Sequence, residues 1–180
     1  MAHPAQQEFC ERVKGLFPES FQGKRVLDCG SLDINGSNRG YFTGGVYVGL
    51  DVGPGKNVDV VSPMHLHEDS SGFDTIVSTE CFEHDQFYEA SFRRIVEVLR
   101  PGGLFFFSCA STGRPEHGTS RQHPDSSPLT AKIEGWCDYY KNLTEEDVRA
   151  AIDVDAVFGS YAFEYNPNGG DLYFWGVKRL

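Results

Sequence analysis

Apolar and polar positions along the chain alternate in a way that predicts helices interleaved with short strands. Phe9, Val13 and Leu16 recur at helical spacing and Pro18 interrupts the pattern, which predicts a helix over about residues 5–17, within a helical N-terminal segment of about residues 1–20. Apolar runs rich in β-branched and aliphatic residues follow, each bounded by Gly, Pro, Asn or Asp. They predict four strands, at 25–29, 46–52, 58–61 and 72–80.

The middle of the chain predicts one helix followed by a buried strand. Between 85 and 100 the apolar residues return every three or four positions, as on one face of a helix, and "RPGG" ends that pattern. The next segment, "LFFFSCA", is apolar throughout rather than alternating. A strand of this kind is typical of the centre of a parallel sheet, where both faces are buried.

The last third of the chain begins with a long irregular segment. Residues 110–142 are rich in Ser, Gly, Pro, His and Asp and show almost no periodicity. Long irregular segments in compact domains more often have a function than not, so we expect this one on the substrate side of the protein. Thr144 and Asp147 have the spacing of a helix capping box, with Leu143 and Val148 placed as a hydrophobic staple.

The C-terminal segment predicts two strands joined by a turn. "VDAVFGSYAFEY" and "DLYFWGVKRL" flank "NPNGG", which favours an antiparallel pair. Strands that alternate with helices and end in a hairpin indicate an α/β sandwich with a mainly parallel sheet. The 180 residues, 39% of them hydrophobic, suit a single domain spanning residues 1–180.

Charge and cysteine content restrict the partners and the compartment. The net charge of −10 argues against a nucleic-acid partner, because phosphate binding needs clusters of Lys and Arg. No apolar run approaches the roughly 20 residues that span a bilayer, so no membrane association is expected. Five cysteines without a CxxC pair, together with a polar first segment, favour a reducing, cytoplasmic setting.

Two acids and a glycine mark a candidate nucleoside site. Ligands of parallel sheets bind outside the carboxyl ends of the strands. Asp28 ends the first strand, Gly30 allows a tight turn, and Asp51 ends the second strand about 20 residues later, where a carboxylate can accept from ribose hydroxyls. A dinucleotide would also need the GxGxxG loop for its pyrophosphate, but Leu32 and Asp33 follow the first glycine. The pattern therefore disfavours an NAD-dependent oxidoreductase.

Four stretches together resemble the class I S-adenosylmethionine-dependent methyltransferases in order and spacing. They are "KRVLDCGSLDINGS", "VYVGLDVGPGKNVDVV", "GFDTIVSTECFEHD" and "IVEVLRPGGLFFFSCAS". The resemblance implies a three-layer Rossmann-like sandwich whose mainly parallel, seven-stranded sheet ends in an antiparallel hairpin. It also implies S-adenosylmethionine as the cofactor and methyl transfer as the activity.

The same resemblance assigns roles to individual residues. It implies a set of cofactor-binding residues, which are Asp28, Gly30 and Ser31 at the methionine end, Asp51 at the ribose, Val52, Met64 and His65 around the adenine, and Ser78 and Thr79, with Glu80, below the sulfonium. Pro63 and Met64 stand where many relatives place an acid that accepts from the adenine amino group. Adenine would then be held by backbone groups and apolar contacts.

Catalytic candidates follow the fourth strand. His84 is the best candidate base, with Glu80 beside the methyl position, and a base is needed only if the acceptor must lose a proton. Aromatic and imidazole side chains of the long segment could cover an acceptor: Tyr139, Tyr140, His117 and His123. His65 and His67 have a metal-like spacing, with His117, His123 and Asp125 as further ligands, but no strong ligand motif is present and no metal is expected.

The function predicted from the sequence is methyl transfer to an oxygen or nitrogen atom of a small-molecule or glycan-like acceptor. Another class remains open at this point, a non-catalytic binding or scaffold protein that kept the fold. The first loop, which is not glycine-rich, and the Pro63-Met64 pair favour that alternative, whereas the retained Asp28, Gly30, Asp51 and Glu80 oppose it.

Overall fold

The computed structural model describes residues 4–180. Its helices are α1 (Pro4–Leu16), α2 (Tyr88–Val98), α3 (Glu145–Ala151) and α4 (Val154–Val157). Its strands are β1 (Arg25–Cys29), β2 (Val46–Asp51), β3 (Val60–Val61), β4 (Phe73–Thr79), β5 (Leu99–Ala110), β6 (Phe158–Asn166) and β7 (Asp171–Lys178).

The strands form one mixed sheet in the order β3-β2-β1-β4-β5-β7-β6. The first five strands in this order run parallel, and β7 pairs antiparallel with both β5 and β6. This confirms the predicted fold class, a mainly parallel seven-stranded α/β sheet closed by an antiparallel hairpin. The carboxyl ends of β1, β2 and β4 therefore lie side by side at one edge.

The sheet lies between two helical layers because β5 presents large apolar side chains on both of its faces. Successive side chains of a strand point to opposite faces. Phe105 and Phe107 join the cluster that includes the apolar faces of α2 and α3, whereas Leu104 and Phe106 join the cluster that includes α1. All four side chains are buried, as the unbroken apolar run predicts.

The connections on the β1 side of the sheet differ from the regular alternation of strands and helices. Between residues 29 and 73 of the described chain the connections contain 3₁₀ turns and no α-helix. The segment 30–45 contains five glycines, and each glycine lowers the stability of a helix by about 1 kcal/mol relative to alanine. The loop after β1 is therefore shaped by turns, among them the 3₁₀ turn at Asn38–Tyr41.

Three predicted boundaries are corrected by the structure. The segment predicted as one strand from residue 154 begins with the short helix α4, because the Asp153 side chain accepts a hydrogen bond from Ala156 N (3.0 Å) and caps a helical turn. β5 begins at Leu99, before "RPGG", since Leu99 pairs with Phe73 of β4 ahead of a register shift. The third strand shortens to Val60–Val61.

The predicted start of the helix after residue 143 is confirmed. Thr144 N donates to the Asp147 carboxylate (2.9 Å), and Asp147 N donates to Thr144 Oγ1 (3.4 Å), which completes the capping box. Leu143 and Val148 are both fully buried in the same apolar cluster. Within residues 4–180, none of the helices has the length and apolar character needed to span a membrane.

Candidate active site

A pocket of about 760 Å³, including its mouth, opens at the carboxyl ends of β1, β2 and β4. Its floor and walls come from the strand ends and the loops that follow them: Cys29, Gly30, Leu32, Ile34, Leu50, Asp51, Val52, Ser62, Met64, Thr79, Glu80, Cys81, Phe82, His84 and Asp85. Its roof comes from the long irregular segment: Ser126, Ser127, Pro128, Leu129, Thr130 and Trp136.

The roof lies close to the loop after β2. A β-carbon built on Gly53 would lie only 2.9 Å from Leu129 Cδ2, so the absence of a side chain there lets the two segments approach. Two 3₁₀ turns, at Pro124–Ser126 and Thr130–Lys132, give the roof local structure. The segment predicted to face the substrate therefore covers the pocket.

Asp51 lies in the pocket wall at the end of β2. Its Oδ2 accepts from Leu32 N (3.0 Å) and its Oδ1 accepts from Val52 N (2.8 Å), so the loops after β1 and β2 hold the carboxylate in place. Burial raises the pKa of Asp51, and the two amide donors lower it in part. A carboxylate has about four lone-pair sites, so each oxygen keeps capacity for a further donor such as a ribose hydroxyl.

Gly30 starts the loop after β1 in a conformation that favours glycine. Its φ is +81°, and its N–H donates to Leu50 O (2.9 Å). A β-carbon at this position would lie 2.5 Å from Cys81 Sγ and 2.6 Å from Cys81 Cβ. The tight turn expected after β1 is therefore present, and the loop after β4 packs directly against it.

Asp28 and Ser31 line a second cavity, of about 650 Å³, that adjoins the main pocket. The two cavities share Gly30, Leu32, Ile34 and Thr79. Asn38 Nδ2 donates to Asp28 Oδ1 (3.3 Å), and Tyr47 OH donates to Oδ2. Burial raises the pKa of Asp28 to about 6, and the two donors lower it in part.

Ser31 supports its own loop. Its hydroxyl donates to Asn57 O (3.2 Å), and Asn57 Nδ2 donates back to Ser31 O (3.0 Å).

Of the residues expected near adenine, two line the main pocket and one does not. Val52 and Met64 are in the pocket wall, with Ser62 beside them. The His65 ring instead packs on Phe87, with ring centroids 4.4 Å apart, outside the lining. The 3₁₀ turn that begins at Met64 directs neighbouring side chains to different sides, so Met64 faces the pocket and His65 faces α2.

The three residues at the end of β4 also differ in whether they line the pocket. Thr79 lines both cavities and accepts from Asn38 Nδ2 (3.0 Å). Ser78 is fully buried and donates to Cys29 O (2.9 Å), so it braces β4 against β1 and does not line the pocket. Glu80 lines the pocket at a φ of +53°, and its Oε1 accepts from Ser108 Oγ (2.8 Å).

His84 lines the pocket beside Glu80 and belongs to a buried cluster that sequence reasoning only partly anticipates. Its Nε2 lies 3.9 Å from Glu83 Oε1, and His117 Nε2 lies 3.9 Å from the same oxygen. The Tyr140 ring packs against both imidazoles, with centroids 5.6 Å and 5.1 Å away. Burial lowers the pKa of His84 to about 3 and raises the pKa of Glu83 to about 8.

Several residues at the site have no signal in the sequence that would single them out. Asp85 accepts from Phe87 N (2.8 Å) in the pocket wall, and Leu129 and Trp136 lie in the roof. Glu83 directly precedes His84 in the sequence "ECFEHD", and this adjacency is its one sequence signal as a site residue. Of the two tyrosines expected to cover an acceptor, Tyr140 packs on the cluster and Tyr139 does not line the pocket.

The metal arrangement considered from the spacing of His65 and His67 does not form. His65 packs against Phe87 with the two rings tilted, whereas His67 is buried against Phe73 with ring centroids 6.1 Å apart. Among residues 4–180, the one group with metal-ligand spacing joins Glu83 and His84 to His117. Cys29 and Cys109 are buried, and burial raises the pKa of both thiols, as expected of core cysteines.

Solved structures similar to this chain share its fold. The 1,6-didemethyltoxoflavin-N1-methyltransferase of Burkholderia thailandensis, bound to 1,6-didemethyltoxoflavin and S-adenosylhomocysteine, has a TM-score of 0.66 at 17% identity, covering 98% of this chain and 79% of that one. The N-methyltransferase NodS of Bradyrhizobium japonicum has a TM-score of 0.62 at 14% identity, covering 99% of this chain and 98% of that one.

A third structure is phosphoethanolamine N-methyltransferase 2 of Haemonchus contortus, in complex with phosphomonomethylethanolamine and S-adenosylhomocysteine. It has a TM-score of 0.64 at 16% identity, covering 97% of this chain and 53% of that one. No curated protein sequence matches the chain.

The fold is of the Rossmann-like α/β type, and its pocket lies outside the carboxyl ends of the strands, where such folds bind ligands. The profile of a family described as a methyltransferase domain matches residues 1–142, so the chain belongs to that methyltransferase family. This confirms the class that the sequence resemblance implies, S-adenosylmethionine-dependent methyltransferases, and S-adenosylmethionine as the cofactor.

Proposed function

We propose that this methyltransferase acts on an oxygen or nitrogen atom of a small-molecule or glycan-like acceptor, in the pocket beneath residues 126–136. The observation that carries the proposal is that one pocket has Asp51 in its wall together with Glu80 and His84. A nucleoside-binding carboxylate and polar groups for an acceptor are thus joined in a single cavity.

The described residues fit S-adenosylmethionine. Asp51 has remaining acceptor capacity for the ribose hydroxyls, and Val52 and Met64 supply apolar contact for adenine. The cavity that contains Asp28 adjoins the main pocket at Gly30, which suits the amino-acid end of the cofactor. That end carries no phosphate, so the loop after β1 does not need a glycine-rich helix start.

The chain's own residues orient the reactants and exclude water. When bound, the cofactor supplies a methyl group attached to a positive sulfur. Positioning and desolvation account for most of what such a transfer needs. Ser108 holds the Glu80 carboxylate at the pocket wall, and the roof, which includes Leu129, limits the access of water to the pocket. Glu80 and His84 are the proposed catalytic residues because both line this end of the pocket.

Two features support a small acceptor. Residues of the roof and residues of the strand ends line the same pocket, which limits the space for an acceptor. The Burkholderia and Haemonchus enzymes of similar fold were solved with the small molecules 1,6-didemethyltoxoflavin and phosphomonomethylethanolamine. The net charge of −10 disfavours nucleic acid as the acceptor. A cytoplasmic location is also proposed, supported by five free cysteines.

Calorimetric titration with S-adenosylhomocysteine tests the cofactor site. We expect one binding site in the wild-type protein and loss of detectable binding in Asp51→Ala. Asp59→Ala is the matched control, because Asp59 also accepts from a backbone amide of β2, Gly49 N (2.8 Å), yet lies outside the pocket. Folded wild-type protein that binds neither S-adenosylmethionine nor S-adenosylhomocysteine would contradict the proposed function.

Methyl transfer to a panel of small hydroxyl and amine acceptors tests the catalytic residues. His84→Ala and Glu80→Gln are each expected to lower turnover while leaving the affinity for S-adenosylhomocysteine within a few-fold of wild type. Full turnover in either variant would remove that residue from the catalytic set.

A further inference from the structure

Glu83 and His117 form a buried cluster with His84, and the proposed methyl transfer assigns no role to Glu83 or His117. Glu83 is fully buried, and no side chain among residues 4–180 donates a hydrogen bond to its carboxylate oxygens. A buried carboxyl group of this kind either keeps its proton or needs a cation to offset the charge of the carboxylate. The imidazole Nε2 atoms of His84 and His117 both face this carboxylate, each 3.9 Å from Glu83 Oε1.

The hydrogen bond at His117 directs a lone pair towards Glu83. His117 Nδ1 lies 3.0 Å from Pro115 O. A carbonyl oxygen only accepts, so Nδ1 carries the proton in this bond and Nε2 carries the lone pair. Metal-binding histidines are typically held in this way, with the second ring nitrogen donating to a carbonyl or carboxylate.

The long irregular segment, residues 110–142, reaches this cluster at Gly118. Gly118 has a φ of +66°, and a β-carbon there would lie 2.5 Å from His84 Cε1. Only glycine therefore lets the chain next to His117 pass directly over the His84 ring. The three ligand atoms all lie within 4.8 Å of one another.

We propose that Glu83, His84 and His117 bind a divalent transition-metal ion of the Zn²⁺ type. One carboxylate and two imidazoles form the donor set of catalytic zinc sites, which leave a fourth position open. Two ligands about 2.0–2.1 Å from a tetrahedral ion lie about 3.4 Å apart. The two 3.9 Å pairs would therefore close by about half an ångström on binding.

The ion would connect the long irregular segment, residues 110–142, to the residues that follow β4. His117 belongs to the segment 110–142, whereas Glu83 and His84 follow β4, so one ion links roof and floor. Because His84 also lines the main pocket, the ion would lie next to the acceptor. Its open position could bind an acceptor oxygen and ease transfer of the acceptor's proton to the Glu80 carboxylate in the same pocket wall. This role rests on the proposed function, whereas metal binding itself does not.

The test is a titration of chelator-treated protein with Zn²⁺ against a chromophoric competitor, repeated with Co²⁺ and read by visible absorption. We expect one equivalent bound, with Co²⁺ bands typical of nitrogen and oxygen ligands. Loss of a ligand should weaken binding beyond the roughly 10–100-fold that loss of an outer-shell partner costs, so Glu83→Gln and His117→Ala should each lose more than about 100-fold.

Two histidine variants are the controls. His123→Asn changes an exposed histidine of the same segment whose φ of +47° asparagine tolerates, and His65→Ala removes the imidazole of the alternative sequence-based pair. Both are expected to bind Zn²⁺ as the wild type does. Circular dichroism and S-adenosylhomocysteine binding verify that Glu83→Gln and His117→Ala are folded. If His117→Ala unfolds, the Zn²⁺ affinity of the isosteric Glu83→Gln variant tests the metal site.

The outcomes separate this inference from the proposed function. No stoichiometric Zn²⁺ or Co²⁺ binding to folded wild-type protein would overturn the metal site, as would unchanged binding in Glu83→Gln. Asp51→Ala should lose S-adenosylhomocysteine and keep the metal. A wild-type protein that binds metal but no S-adenosylhomocysteine would leave the metal site standing and contradict the cofactor site.

Discussion

Replacing Gly30 with alanine should destabilise the protein through two separable effects. The φ of +81° disfavours a β-carbon, which costs about 1–2 kcal/mol. The new β-carbon would also lie 2.5 Å from Cys81 Sγ and 2.6 Å from Cys81 Cβ, and overpacking of this kind costs about 1–3 kcal/mol. We therefore expect Gly30→Ala to lower the free energy of unfolding by about 2–5 kcal/mol.

Gly23 provides a matched control for the backbone effect. Its φ is +66°, and nothing lies within 4 Å of the β-carbon position. Gly23→Ala should therefore cost only about 1–2 kcal/mol, since it lacks the steric contact. The difference between the two variants measures the contact between the loops after β1 and β4.

A double-mutant cycle with Cys81→Gly isolates the steric contact. Removing the Cys81 side chain deletes both close atoms, so Gly30→Ala should be less costly in that background by about 1–3 kcal/mol. The assay is urea denaturation followed by circular dichroism. Equal losses in Gly30→Ala and Gly23→Ala, together with a coupling below about 0.5 kcal/mol, would refute the reasoning.

Three further predictions concern the helix cap, the roof and pH. Thr144→Ala should cost about 1 kcal/mol of stability by removing the cap of α3, whereas Thr112→Ala, at an exposed position, should not. Leu129→Ala should weaken S-adenosylhomocysteine binding about tenfold, with the exposed Leu66→Ala as control. Because the pKa of Asp28 is about 6 in the folded protein, the folded state holds a proton that the unfolded state releases. Stability relative to Asp28→Asn should then fall by about 2 kcal/mol as the pH rises from about 4 to about 6.

Each of these has a result that would contradict it. Equal stabilities of the two threonine variants would show that the capping box contributes little. Unchanged calorimetric affinity in Leu129→Ala would place the roof away from the cofactor. A difference between wild type and Asp28→Asn that stays constant in denaturation curves across this pH range would mean that the Asp28 carboxyl keeps an ordinary pKa.

The predicted positions of the strands were close because burial and turn residues are local properties. "LFFFSCA" predicts a strand buried on both faces, and Phe105 and Phe106 do enter different clusters. The predicted strand boundaries were wrong where a contact with another residue sets the boundary. Asp153 begins a helical turn inside the predicted strand, and pairing with Phe73 brings Leu99 into β5.

The sequence also places Ser78, Thr79 and Glu80 at the end of a strand, but the fold assigns them different tasks. Ser78 donates to a carbonyl of β1, and Glu80 accepts from Ser108 of β5. These partners lie 49 and 28 residues away along the chain, so no local pattern contains them. His65 is a similar case, because its ring packs on Phe87 of the next loop.

The sequence by itself determined the class of the protein, the parallel sheet and the acids at the strand ends, because hydrophobic periodicity and motif spacing are written in consecutive residues. Only the tertiary structure decided which of those residues face the pocket, and that His117 meets Glu83 across 34 residues of chain. The physical reason is that a side chain's direction, burial and hydrogen-bond partners depend on elements brought together by folding.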